Sequence, residues 1–142
     1  MTYELRDHTA DIAVEATGPT LSATFAAVAD GLTAASCDSV PGTGGDRFRV
    51  EVRAESREGL LFDYLDHLIY ERDVREVLPA DHDCQVLSPK DSGPGAAWTV
   101  EATARGVPLD RIEAREVKAV TYSEMTLEAR DDGWYAYVVF DV

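Results

Sequence analysis

Hydrophobic and polar residues recur along this chain with two periods, and the changes between them mark its elements. In residues 11–17, Ile12, Val14 and Ala16 fall on one face, the period of two that a half-buried strand shows. Gly18-Pro19 ends that strand. Thr20 can then cap a helix in which Leu21, Phe25, Val28 and Leu32 recur at three- and four-residue spacing. Alanines fill the gaps, so this helix can approach a sheet closely, and it should end near Cys37, before the glycine loop at 41–45. Residues 47–55 alternate charge with Phe48, Val50, Val52 and Ala54, a strand with one wet face. Ser56 caps a second helix that buries Leu60, Leu61, Tyr64, Leu65, Leu68 and Ile69. Asp63, Asp66 and Glu71 lie mostly on its other face, and it should stop around Arg72.

Beyond that helix the pattern is that of strands. Residues 74–78 fit a strand or a loop equally well, while 84–88 and 97–104 flank Gly93-Pro94-Gly95 and read as a hairpin. Residues 106–110 look irregular. Residues 117–122 and 125–130 read as one strand interrupted near Ser123, turning through Asp131-Asp132-Gly133 into the run from Trp134 to Val142. That run is apolar at every position to Phe140, as in a strand covered on both faces and therefore central in its sheet. It stops on Asp141 and the carboxylate of Val142, two negative groups at the mouth of an apolar core. Such an arrangement is costly unless water or a cation neutralises it. Near the start, residues 4–6 fit a short edge strand. The order β-α-β-α followed by strands predicts an α+β fold, with two helices packed on a largely antiparallel β-sheet in one domain, residues 1–142. A doubly wound α/β sheet is disfavoured because no crossover helix follows the second one.

Composition narrows the partners. The chain has 142 residues, 45% of them hydrophobic, enough for one real core. Its formal net charge is −14, and of its 13 basic residues only Lys90 and Lys118 are lysines. An acidic, lysine-poor surface stays hydrated in high salt and suits a salt-loving host. It also disfavours direct nucleic-acid binding and acidic membranes, which call for basic patches. Cations and cationic proteins remain open as partners. There is no run of about eighteen apolar residues to span a bilayer, and residues 1–8 do not look like a secretory signal, so a cytoplasmic location is expected. Cys37 and Cys84 match no metal or redox spacing and read as buried, reduced thiols.

If the strand opening at Asp11 and the strand closing at Asp141 are antiparallel neighbours, both residues meet at one sheet edge. Asp11, Asp141 and the Val142 carboxylate then converge. Carboxylate oxygens suit a hard divalent cation such as Ca²⁺, Mg²⁺ or Mn²⁺. Equally, both aspartates could simply blunt strand ends in solvent. His8, beside Asp7, is a supporting ligand or hydrogen-bonding residue near that edge, or else structural; His67 and His82 are given no role. Strand alternation places Lys118, Val120 and Tyr122 on one face. A lysine in a chain that otherwise uses arginine suggests pairing with a carboxylate of the site, against the plainer reading of an edge-strand lysine. P-loop, dinucleotide-binding, nucleophile-elbow and zinc patterns are all missing, and no catalytic residue is assigned.

Four stretches, taken together and in order, resemble the archease family. They are Asp7-His8-Thr9-Ala10-Asp11-Ile12, the second-helix segment from Gly59 to Tyr70, Val117-Lys118-Ala119-Val120-Thr121-Tyr122, and the terminal Phe140-Asp141-Val142. The resemblance implies a small α+β protein that assists the GTP- and Mn²⁺-dependent tRNA-splicing RNA ligase. Such proteins promote guanylylation of the ligase and its multiple turnover without joining RNA themselves. The family's metal site maps onto Asp11, Asp141 and Val142. One departure is Ser123, where the family often has histidine after the Thr-Tyr pair. Two other readings compete: a free-standing metal-dependent phosphoester hydrolase using the same carboxylates, and a general chaperone-like binding module, which would need more exposed apolar surface than so charged a chain suggests.

Overall fold

The computed structural model describes residues 2–8, 11–90, 93 and 95–142, and for residues 6–8 the backbone alone. The chain runs β1 (Thr2–His8), β2 (Asp11–Gly18), α1 (Leu21–Ser36), β3 (Arg47–Ala54), α2 (Arg57–Arg75), β4 (Val77–Leu87), β5 (Trp98–Pro108), a 3₁₀ turn (Leu109–Arg111), β6 (Ala119–Arg130) and β7 (Gly133–Asp141). The α+β expectation holds, but the strands form two antiparallel sheets rather than one. Sheet A has the order β1-β2-β7-β6 and sheet B the order β3-β5-β4.

Both helices start where a hydroxyl caps them. The Thr20 side chain accepts from the Ala23 amide and the Ser56 side chain from the Gly59 amide, each at 3.0 Å, satisfying one orphan donor of the first turn. Helix α1 is alanine-rich and packs against β2 and β4, and α2 packs against β3 and β6, so the pair bridges both sheets. One core results: Val14, Phe25, Leu61, Tyr64, Val100, Val138 and Phe140 all join it. Arg57, the first residue of α2, lies over the rings of Trp98 at 5.6 Å and Trp134 at 5.1 Å. It therefore ties the helix start to the first turn of both β5 and β7, one strand from each sheet.

The outer edge of β4 is covered by α1. The Val86 amide donates to Ser22 Oγ at 2.8 Å and the His82 amide to Asp30 Oδ1 at 3.3 Å, so backbone donors that a free edge would leave open are taken up by helix side chains.

Several boundaries differ from the expectation for physical reasons. Helix α2 continues a turn past Arg72 to Arg75, and Glu76 in the left-handed region (φ 55°) ends it, its amide donating to the Arg72 carbonyl. The ambiguous residues 74–78 are thus helix end, cap and strand start. Residues 106–108, expected to be irregular, stay in β5 because they pair with Val77–Pro79 of β4. The 84–88/97–104 hairpin is present as β4–β5, with part of its turn outside the described residues. The interruption near Ser123 is a bulge in β6, whose register against β7 shifts between Thr121 and Thr126. The short edge strand at 4–6 is the longer β1.

Candidate functional site

β7 lies between β2 and β6, central in sheet A, as its continuous apolar pattern predicts. Its register places Asp141 opposite Asp11, and His8 opposite Asp11 on the far side, so one row across the sheet reads His8, Asp11, Asp141, Ala119. Val14, Ala16, Val138 and Phe140 face the helices. By alternation, Asp11 and Asp141 share the opposite face. Asp141 is exposed, Asp11 half-buried, and Val142 next to it is 39% exposed. The side chain of His8 and all of Thr9 and Ala10 lie outside the described residues.

Two carboxylates on directly opposed strand positions concentrate negative charge, a placement that disfavours the sheet unless something positive meets it. The donors are all oxygen, so the residues present fit a hard cation. No three His, Cys, Asp or Glu side chains among the described residues are grouped to hold a metal alone. A cation here would need further ligands from Val142, backbone, water or another protein.

Lys118 falls beside this edge, but not as alternation predicted. It precedes β6, and its amide donates to the Asp141 carbonyl at 2.8 Å. Its exposed ammonium makes no ion pair among the described residues. Val117, on the other side of the same peptide unit, is fully buried, and its carbonyl accepts from Arg72 Nη1 at 2.6 Å. The remaining donors Nε and Nη2 of Arg72 lie 3.1 and 3.0 Å from Asp73 Oδ1. The 117–118 peptide is thus clamped between α2 and β7, and the clamp fixes where Asp141 sits. Sequence reasoning missed Arg72, since a basic residue in the last turn of a helix is the ordinary complement of the helix dipole.

The β6 bulge holds the second feature not foreseen. Tyr122, within that bulge, stacks on Phe62 of α2, with ring centroids 4.0 Å apart and planes 4° from parallel. Thr121 Oγ1 donates to the Val139 carbonyl at 3.0 Å and accepts from the Ser123 amide at 3.3 Å, fixing the start of the bulge.

Away from this edge, several titratable groups are buried among the helices and sheet B. Burial holds the His82 imidazole down at about 4 and pushes the Cys84 thiol up to about 12, with Tyr64 Oη 3.1 Å from Cys84 Sγ. Cys37 and Cys84 are both free. Among the described residues, no helix is long and apolar enough to cross a membrane.

An exposed carboxylate edge on a two-sheet α+β fold, with none of the common catalytic motifs in its sequence, describes a class that comparison makes specific. The profile of the archease protein family (MTH1598/TM1083) matches residues 3–142. The protein archease of Methanosarcina acetivorans is 31% identical over 99% of this chain and 95% of its own length. That of Thermococcus gammatolerans is 33% identical over 99% and 98%. The solution structure of Methanobacterium thermoautotrophicum protein 1598 has a TM-score of 0.81 at 26% identity, covering 99% of this chain and 98% of that one. The crystal structure of an archease from Thermotoga maritima, described as a possible chaperone, shares the fold at a TM-score of 0.62 and 22% identity over 98% and 96%. This chain belongs to the archease family.

Proposed function

We propose that this protein activates the GTP-dependent tRNA-splicing RNA ligase, promoting its guanylylation and repeated turnover while catalysing no joining itself. In this reading Asp11, Asp141 and the Val142 carboxylate present a divalent cation, Ca²⁺ first and Mg²⁺ or Mn²⁺ otherwise, to the ligase. The observation that supports it most is the Asp11–Asp141 pairing at one end of sheet A, in a chain of this family. An oxygen-donor set at an exposed edge, with no described side chain as third ligand, suits a site that a second protein completes. A bound cation would neutralise the carboxylates and offer a Lewis-acidic contact to an anionic oxygen. The chain's own part is positional: Arg72 and the 117–118 peptide hold the Asp141 backbone, and β2 holds Asp11 opposite it.

The test is RNA ligation by purified ligase at limiting concentration with GTP and Mn²⁺. More than one product per ligase is expected only when this protein is added. Asp11→Asn and Asp141→Asn should each lower that stimulation by roughly tenfold or more, as loss of a metal-site group does, with little change in melting temperature. Ligase turnover indifferent to the wild-type protein would sink the reading. Phosphoester turnover by this protein alone, abolished by a chelator, would favour the hydrolase instead.

A further inference from the structure

The outward face of α2 combines acidic and apolar groups, most of them exposed. Phe62, Asp63, Asp66, Tyr70, Asp73 and Val74 fall within a sector of about 120° at 100° per residue. Tyr122 from the β6 bulge extends the sector by stacking on Phe62. Tyr70, Val74 and Tyr122 are 55%, 61% and 58% exposed, half of the six large hydrophobics exposed among the described residues. Asp63 and Asp66 form no ion pair among the described residues. The basic residues of this stretch are already engaged: Arg72 is buried against Val117 and Asp73, and Arg75 pairs with Glu71 and lies over the Phe48 ring at 4.5 Å. Tyr122 belongs to β6, whose Ala119 lies opposite Asp141, so this face and the carboxylate edge share that strand.

We infer that this face docks a basic amphipathic protein segment, one presenting apolar or aromatic residues flanked by arginine and lysine, from the protein that the carboxylate edge serves. The chemistry selects that occupant. Apolar side chains in an acidic surround fit a segment that supplies both an anchor and counter-charge. Nucleic acid and anionic membrane are repelled by the aspartates, and a second copy would set like charges against each other. The identity of the partner rests on the proposed function; the chemistry of the segment rests on α2 alone.

Two binding measurements test it, one with purified ligase and one with a synthetic helical peptide carrying leucine and tryptophan on one face and arginine on the other. Tyr70→Ala/Val74→Ala removes the anchors at exposed positions where alanine favours helix. It should weaken both complexes about tenfold or more, leaving cation uptake at Asp11 and Asp141 unchanged. Asp66→Asn should weaken peptide binding in a salt-dependent way, whereas Asp131→Asn/Asp132→Asn at the β6–β7 turn should not. Peptide affinity that ignores Tyr70 and Val74, or falls equally on neutralising Asp131 and Asp132, would reduce the effect to net charge and overturn the inference. Ligase held equally tightly by the double variant would overturn it while leaving the proposed function standing. Peptide held through Tyr70 and Val74 by a protein that neither binds nor stimulates the ligase would support the surface and overturn the proposed function.

Discussion

Single side chains set two measurable properties of this molecule. His82 sits in the seam between α1 and β4, with Nε2 2.8 Å from Thr33 Oγ1. The Thr33 hydroxyl also lies 2.7 Å from the Pro79 carbonyl oxygen, and Nδ1 of His82 is buried without a partner among the described residues. Burial therefore holds the folded pKa near 4, against about 6.5 in the unfolded chain. Between those values the unfolded chain binds the extra proton, so stability is full above pH 6.5 and falls as pH drops towards 4, by an amount on the order of 3 kcal/mol. Melting temperature measured from pH 7 to pH 4 should decline more steeply for wild type than for His82→Gln; parallel curves would exclude His82 as the source. Arg72→Leu leaves the buried Val117 carbonyl without its donor, a loss of about 1–3 kcal/mol. A lower urea midpoint together with weaker cation binding at Asp141 is the expected pair of results. An unchanged cation affinity would mean that the clamp holds the fold but not the site.

At the scale of elements, close packing of α1 on β2 depends on Gly31. A Cβ there would meet Val14 Cγ1 at 2.5 Å, and Val14 is β-branched and wholly buried. Gly31→Ala raises helix propensity by about 1 kcal/mol, yet overpacking costs about 1–3 kcal/mol, so the variant should be less stable by chemical denaturation. Greater stability would show that the seam can open freely. Much of this architecture is legible in the chain, because capping at Thr20 and Ser56 and the alternation in β2, β3 and β7 are local signals. The pairing of Asp11 with Asp141 was also anticipated, since strand ends and a central apolar run constrain each other. What stayed hidden depends on contacts distant in sequence. The division into two sheets follows from how α1 and α2 straddle them, the β6 bulge from Tyr122 finding Phe62, and the clamp from Arg72 reaching a carbonyl 45 residues away.

For the whole molecule, charge dominates: 27 acidic against 13 basic residues make the compact state self-repelling. Screening shortens from about 10 Å at 0.1 M salt to about 3 Å at 1 M. The melting temperature should therefore rise over that range of KCl, and a flat response would show that the acidic residues do not strain the fold.

The place of β7 in sheet A bears on how the protein is made. β1 and β2 are synthesised first, yet β2 waits for its second neighbour until residues 134–141 emerge. At about 5–20 residues per second, that delay is on the order of ten seconds. Throughout it the nascent chain presents β2 with one edge open and the apolar residues Ile12, Val14 and Ala16 on one face. The step that closes the sheet is also the step that brings Asp141 to Asp11. A chain stalled or truncated within β7 therefore loses the carboxylate edge and the middle of its sheet together, so quality control that recognises an open strand would also remove chains that lack the site.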